Sequence, residues 1–410
     1  MSDTHLPDTF GARAGLHADA GGEQPDHAAR FLGPVPRIGR FPLRPQPAWD
    51  DGQLPAPDSA QPDSGPVSGR RRGPSRGGTA HGCNLRQARG RGDLDGPCFD
   101  LDVPPDGYAW WYVDGLSDCG TYGVSVIGFI GSVFSPWYRW AGRKRPENHV
   151  CINVALYGPG GRFTMTERGQ GALSQSKDRF QVGPSSMAWR NGTLEIEVDE
   201  WSNPVISHLR GTIRLTPAGV TDVEMLLKAD GTHIWRPFSP TARIEVDLGR
   251  PGWQWRGHGY FDANFGTRAL EDDFSYWTWG RFPVPGGTMA FYDADRRDGS
   301  TLAKALMFGE DGSARMVDAP PPKTRFNRNL WLVRRETRAD PGYRPREVTP
   351  MLHAPFYSRA AVRTQIDGHE TVGVHEALDL NRFASPLLKP MLAVRVPRVP
   401  DWAAFARDQR

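Results

Sequence analysis

The 410-residue sequence predicts an all-β chain, with antiparallel strands closed into β-barrels or sandwiches behind a disordered N-terminal leader. Three observations carry this expectation. Short apolar and aromatic runs recur from residue 97 onward. Turn residues separate them, including Asn191–Gly192 and Asp230–Gly231, dipeptides favoured by two-residue hairpins. Helical periodicity is almost absent between 97 and 375.

Residues 1–96 are rich in Pro, Gly, Asp and Arg. Segments such as PAPDSAQPDSGP and GRRRGPSRGG bury too little apolar surface to offset the entropy of ordering. This leader is expected to be disordered, and part of it also reads as untranslated sequence. Its Arg70–Arg72 cluster reads as a solvated tail, with anionic lipid or nucleic acid as the alternative. Order begins near Pro97. CFDLDVP, YAWWYVDGLS and YGVSVIGFIGSVF read as strands. The last is apolar at nearly every position, which suits a strand buried on both faces or lining an apolar cavity. SPWYRWAGRKRPEN then sets Trp137, Tyr138 and Trp140 ahead of Arg143, Lys144 and Arg145. Rings beside basic groups fit an interfacial belt, and equally a loop with a packed ring.

HVCINVALYG, GRFTMTERG, LEIEVDEW, VISHLRGTIRLTP and TDVEMLLKAD continue the short strands. In THIWRPFSP, His233 and Trp235 share one face of an extended segment, and Pro237 and Pro240 are expected to break pairing. ARIEVDL resumes the strand. A boundary near 250 divides a first β domain, 97–250, from a second, 251–375. The second continues through MAFYDADRRDG, LAKALMFGEDG, LWLVRRETRAD, AAVRTQIDG and HETVGVHEALDL. In the tail, 376–410, Leu387, Leu388, Met391, Leu392 and Val394 lie among Lys389, Arg395 and Arg398, and prolines prevent one long helix. Such a tail can dip into a bilayer surface or form a strap on the β unit.

Net charge is only +3, so no global field argues for nucleic acid. Cys83, Cys98, Cys119 and Cys151 form no CxxC pair, which argues against a zinc site and makes a reducing compartment the expectation. No secretory signal is evident. No run approaches the roughly 20 apolar residues of a membrane-spanning helix. His353, His369 and His375 lack HxH or HExxH spacing, so no metal site is expected.

The stretch Trp253–Phe282 concentrates the chemistry, with His258, Asp262 and the run Glu271–Asp273 set among aromatic rings. Alternation in GHGYFD puts Tyr260 and Asp262 on one strand face. Burial of a carboxyl among rings disfavours its charged form, making Asp262 a candidate acid. The plainer alternative is a Trp-rich core whose Asp caps a turn. The acidic run reads as a solvated turn or as the partner of Arg268 or Arg281. Adjacent strand positions face opposite ways, which counts against a glycosidase pair. His233 can equally be a structural histidine, and Trp235 plain core.

Five blocks, IGFIGSVFSPWY, HIWRPFSP, HGYFDANFG, WTWGRF and GVHEALDLNRF, resemble the carotenoid 1,2-hydratases (hydroxyneurosporene synthases) of photosynthetic bacteria, whose relatives include AttH-like proteins. The resemblance spans roughly Pro97 to Pro400 and leaves the leader outside. It implies two lipocalin-like antiparallel β domains. It also implies cofactor-independent addition of water to the terminal C1=C2 bond of acyclic carotenoids such as lycopene and neurosporene. The family's candidate acid falls on Asp262, with Tyr260, His233 and Trp235 completing the constellation.

An isolated alkene needs a neutral acid against C2, a face that stabilises the tertiary cation at C1, one ordered water, and an apolar channel for the polyene. Asp262 fits the first need and the indole of Trp235 the second. His233 or Tyr260 fits the third, and a β-barrel interior the fourth. With a boundary near 250, the site lies between the two β units. Phe134, Trp137, Tyr138, Trp255, Phe265 and Trp277, with Trp235, are expected to contact substrate. The implied partners are the carotenoid and water, with peripheral contact on the cytoplasmic side of the photosynthetic membrane and no obligate protein partner. The alternative is a non-catalytic carrier for polyenes or lipids.

Overall fold

The computed structural model describes residues 96–399. The readings of the leader up to residue 95 and of residues 400–410 therefore lie outside the described residues. Within them the chain is mostly β, in two large curled antiparallel sheets and one small two-stranded sheet.

The first sheet opens with β1 (Tyr108–Ser117), β2 (Gly123–Ile130), β3 (Val150–Tyr157) and β4 (Phe163–Met165). Next come β5 (Leu173–Ser176), β6 (Arg179–Val182), β7 (Ser185–Arg190), β8 (Thr193–Trp201) and β9 (His208–Pro217). The two-residue β10 (Met225–Leu226) pairs with β11 (His233–Arg250), which turns into β12 (Trp253–Gly266). β12 pairs with both β11 and β1, joining the two meanders in the order β4-β3-β2-β1-β12-β11-β9-β8-β7-β6-β5. Asn191 and Gly192 both take positive φ, 49° and 73°, in the β7–β8 turn.

The second sheet holds β13 (Phe274–Val284), β14 (Gly287–Arg296), β15 (Thr301–Gly309) and β16 (Ala314–Met316). β17 (Lys323–Arg325) and β18 (Glu336–Arg338) pair apart from it. β19 (Arg346–Ala354), β20 (Tyr357–Ile366) and β21 (His369–Asp379) complete it, in the order β16-β15-β14-β13-β21-β20-β19.

Three expectations change. The boundary near 250 falls inside the first sheet, because Pro251 and Gly252 form the β11–β12 hairpin turn. The chain changes sheets between Gly266 and Phe274, across the short helix Leu270–Asp273. Pro237 and Pro240 do not end β11. The ladder to β12 instead shifts register between Arg236 and Ser239 and again between Ser239 and Ala242. LWLVRRETRAD supplies only β18, and Leu330, Trp331 and Leu332 are exposed.

β1 is buried at all ten positions because it serves two cores. Ala109, Trp111 and Val113 point into the first sheet's own interior, with Val126, Ile152 and Phe180. Tyr108, Trp110 and Tyr112 point the other way and pack with Trp277, Trp279 and Tyr292 of the second sheet. Full burial of one large apolar side chain contributes about 1.5–3 kcal/mol, so this shared face holds the sheets together. The sequence reading offered a β interior as the polyene's channel and placed the site between the two β units. The first sheet's interior is filled by side chains, and the aromatic wall lies between the sheets.

SPWYRW folds as a short helix, α1 (Pro136–Trp140), with Ser135 Oγ accepting from Trp137 N at 3.2 Å. In chain order Leu270–Asp273 is α2, followed by α3 (Leu380–Ala384) and α4 (Lys389–Arg395) in the tail. The tail straps back onto the body: Trp137 Nε1 donates to Val396 O at 2.7 Å. Among the described residues no helix is long and apolar enough to cross a membrane.

Candidate active site

Strand period two sets Tyr260, Asp262 and Asn264 of β12 on the face toward the second sheet. Across β1, Asp262 lies opposite Tyr112 and Asn264 opposite Trp110; across β11, Asn264 lies opposite Trp235. Trp235 Nε1 and Tyr260 OH both donate to the same oxygen, Asp262 Oδ2, each at 2.8 Å. Asp262 Oδ1 is buried and has no protein hydrogen-bond partner.

Burial is the main reason the Asp262 carboxyl is pushed up to about 8, and the negative charges of Glu376 and Asp114 add to it. The Trp235 and Tyr260 donors pull the other way. At neutral pH the acid is therefore mostly protonated. Oδ2 already accepts two hydrogen bonds, so the proton belongs on Oδ1.

His233 is fully buried but stands outside this cluster. Its Nε2 faces Asp273 Oδ2 at 3.0 Å and its Nδ1 faces Tyr108 OH at 3.0 Å. Burial lowers the His233 pKa against the pull of Asp273. A neutral imidazole then donates to Asp273 and accepts from Tyr108, with neither nitrogen left for water. Lys228 and Arg268 also reach Asp273, at 3.0 and 3.6 Å, while Glu271 pairs with Arg139 and Arg143. Glu271 and Asp273 are thus buried partners of basic groups, Arg268 among them as expected, while Asp272 is exposed; Arg281 pairs instead with Asp114.

Asp262 and Asn264 line a cavity of about 50 Å³ between the sheets, walled chiefly by Trp110, Phe134, Trp277, Trp279, Tyr292 and Tyr357. Of the residues expected to contact substrate, Phe134 and Trp277 line this cavity, and Trp137, Tyr138, Trp235, Trp255 and Phe265 do not. Trp235 gives Asp262 its N–H while its ring packs on Tyr292 and Phe308, at 5.4 and 6.5 Å between centroids. Trp137 is bound to the tail, Tyr138 OH donates to Gly107 O at 2.8 Å, and Trp255 and Phe265 belong to the first sheet's own core.

Sequence reasoning missed Arg359 and Glu376, which also line the cavity. Arg359 Nε donates to Glu376 Oε1 at 2.8 Å, and its Nη1 reaches Ser125 Oγ and Tyr157 OH of the first sheet, at 2.6 and 2.8 Å. The guanidinium therefore bridges the two sheets. Glu376 sat within the GVHEALDLNRF block, but Arg359 lies just ahead of AAVRTQIDG and carried no signal. Asn264, two residues beyond Asp262, was legible from strand period alone. The site as built is a buried carboxyl with a raised pKa in a mostly aromatic cleft that the Arg359–Glu376 pair also lines, an arrangement suited to acid chemistry.

A family model described as carotenoid hydratase CrtC matches residues 126–405. The chain is 65% identical over 279 residues to an acyclic carotenoid 1,2-hydratase of Cereibacter sphaeroides, covering 68% of this chain and 99% of that one. It is 41% identical over 387 residues to one of Thiocapsa roseopersicina, covering 93% and 95%. That alignment takes in more residues than lie after Gly96, so similarity extends into the leader, contrary to the sequence reading. A solved structure described as an AttH of Nitrosomonas europaea is 16% identical with a TM-score of 0.47, over 68% of this chain and 97% of that one. From the family match and the near-complete coverage of a 65% identical relative, the chain belongs to the carotenoid hydratase family.

Proposed function

We propose that this enzyme, a hydro-lyase by family, adds water across the terminal C1=C2 bond of acyclic carotenoids, with Asp262 as the acid that starts the reaction. The observation that carries the proposal is the buried, unpartnered Asp262 Oδ1 at an aromatic cavity. Proton transfer from Oδ1 to C2 leaves a tertiary cation at C1. Indole and phenol faces of the cavity stabilise it, by about 2 kcal/mol or more where water is excluded. Trp110 and Trp277 fit this role better than Trp235, whose ring lies behind the carboxyl. Tyr260 and Trp235 act on the acid: their hydrogen bonds fix its orientation and keep its pKa from rising further. His233 supports the wall through Tyr108.

The cavity of about 50 Å³ holds one or two waters, not a polyene. Substrate entry therefore requires side chains between the sheets to move apart. The proposal extends to peripheral contact with the photosynthetic membrane from its cytoplasmic side. Exposed Leu387, Val394 and Trp140 support it, as does the insolubility of the substrate.

The test is incubation of purified protein with lycopene and analysis of products by mass for the gain of one water. Asp262→Asn should remain folded and lose about two to four orders of magnitude in rate. A folded Asp262→Asn variant with normal turnover would refute the acid. Stoichiometric pigment binding without any hydrated product would identify a carrier instead.

A further inference from the structure

The second reactant, water, is not held by either residue expected to hold it, His233 or Tyr260. Both ring nitrogens of His233 are committed, and the hydroxyl proton of Tyr260 goes to Asp262. We infer that Asn264 and Trp279 seat the attacking water. Both line the cavity that Asp262 lines, and they are only 4% and 6% exposed. Each has a buried polar atom without a protein partner, Asn264 Oδ1 and Trp279 Nε1. One is an acceptor and the other a donor, so one water can donate to the amide and accept from the indole. Burying two such groups unpaired is costly, and a shared water removes the cost.

The topology brings the pair in from opposite sides. Asn264 stands in a first-sheet row between Trp110 and Trp235. Trp279 stands in a second-sheet row between Tyr292 and Glu376. A water bound by both keeps one lone pair for C1.

This inference rests on Asp262 as the acid. The C1=C2 π pair takes the Oδ1 proton to form the C2–H bond, and the former O–H pair stays on the carboxylate. A water lone pair forms the C1–O bond. The surplus proton of the resulting oxonium returns to the Asp262 carboxylate, restoring the acid without any further reagent. A cation that is not captured can only give a proton back and revert to alkene.

Reaction in D2O separates the two steps. Asn264→Leu and Trp279→Phe should lower kcat for lycopene hydration at least tenfold with KM little changed. Recovered lycopene should nevertheless acquire deuterium, because protonation at C2 continues and reverses. Asp262→Asn should abolish both hydration and exchange. The inference is overturned if folded Asn264→Leu and Trp279→Phe hydrate at the normal rate, or if they lose exchange along with hydration. Failure of the acid reading looks different: Asp262→Asn would keep exchanging and hydrating.

Discussion

At the scale of the residue, the raised pKa of Asp262 makes two measurable demands. With Asp262 as the proposed acid, activity needs the neutral form, so kcat/KM should be level through neutral pH and fall about tenfold per unit above about 8. Tyr260→Phe removes a donor that favours the carboxylate, so this limb should move to higher pH, with the rate reduced severalfold as the acid loses its orientation. Folding stability has the same sign. The folded-state pKa lies above the ordinary 3.8, so stability from the neutral acid is fully present below that value and is lost as pH rises toward 8. Asp262→Asn should therefore be more stable than the parent at pH 9, on the order of a few kcal/mol, and nearly equal at pH 4. Thermal melts at both values check this. The pairing of Tyr260 with Asp262 was legible because period two needs only the local strand. The use of Trp235 was not, because a residue type does not say whether the indole offers its face or its N–H.

At the scale of the element, β11 and β12 show what local signals miss. Prolines were read as ends, yet β11 accommodates them by slipping register while the flanking residues keep pairing. The same strand pair carries His233, whose partner Asp273 lies 40 residues on in a separate helical turn. No spacing rule joins those two. The network they form links β1, β11 and α2, and this gives His233 a role distinct from catalysis. His233→Ala should cost about 1–3 kcal/mol of stability, since it leaves Asp273 and Tyr108 with one partner fewer. It should slow hydration by loosening the wall, yet leave the alkaline limb near 8 because it does not touch Asp262. A limb displaced by a full unit would return His233 to the acid's immediate circle.

At the scale of the whole molecule, the sequence carried most strands and turns, though it read CFDLDVP as a strand where none forms and passed over β5 to β7, and it did not carry which faces meet. β1 alternates between two cores, and a run buried on both faces looks alike whether it fills a barrel or joins two sheets. That ambiguity explains why a barrel interior was offered as the polyene's channel although the site was expected between the two units, where the cleft is found. The cleft leaves the entry of the polyene to be accounted for. α1 and the tail lie together, tied by Trp137 to Val396, and expose Trp140, Leu387 and Val394, which are 52%, 86% and 64% accessible. Phe134, which lines the cavity, packs at 5.8 Å on Phe383 of α3, so the apolar surface and the site share a wall. A bilayer at this surface would deliver substrate from its own solvent, with apolar contacts of about 25 cal/mol per Å² driving attachment. Leu387→Asp with Val394→Asp should reduce flotation with liposomes severalfold and slow conversion of membrane-borne lycopene. Conversion of detergent-dispersed lycopene should be unchanged, because neither side chain reaches the cavity. Undiminished flotation of the double variant would move the entry route to another face of the molecule.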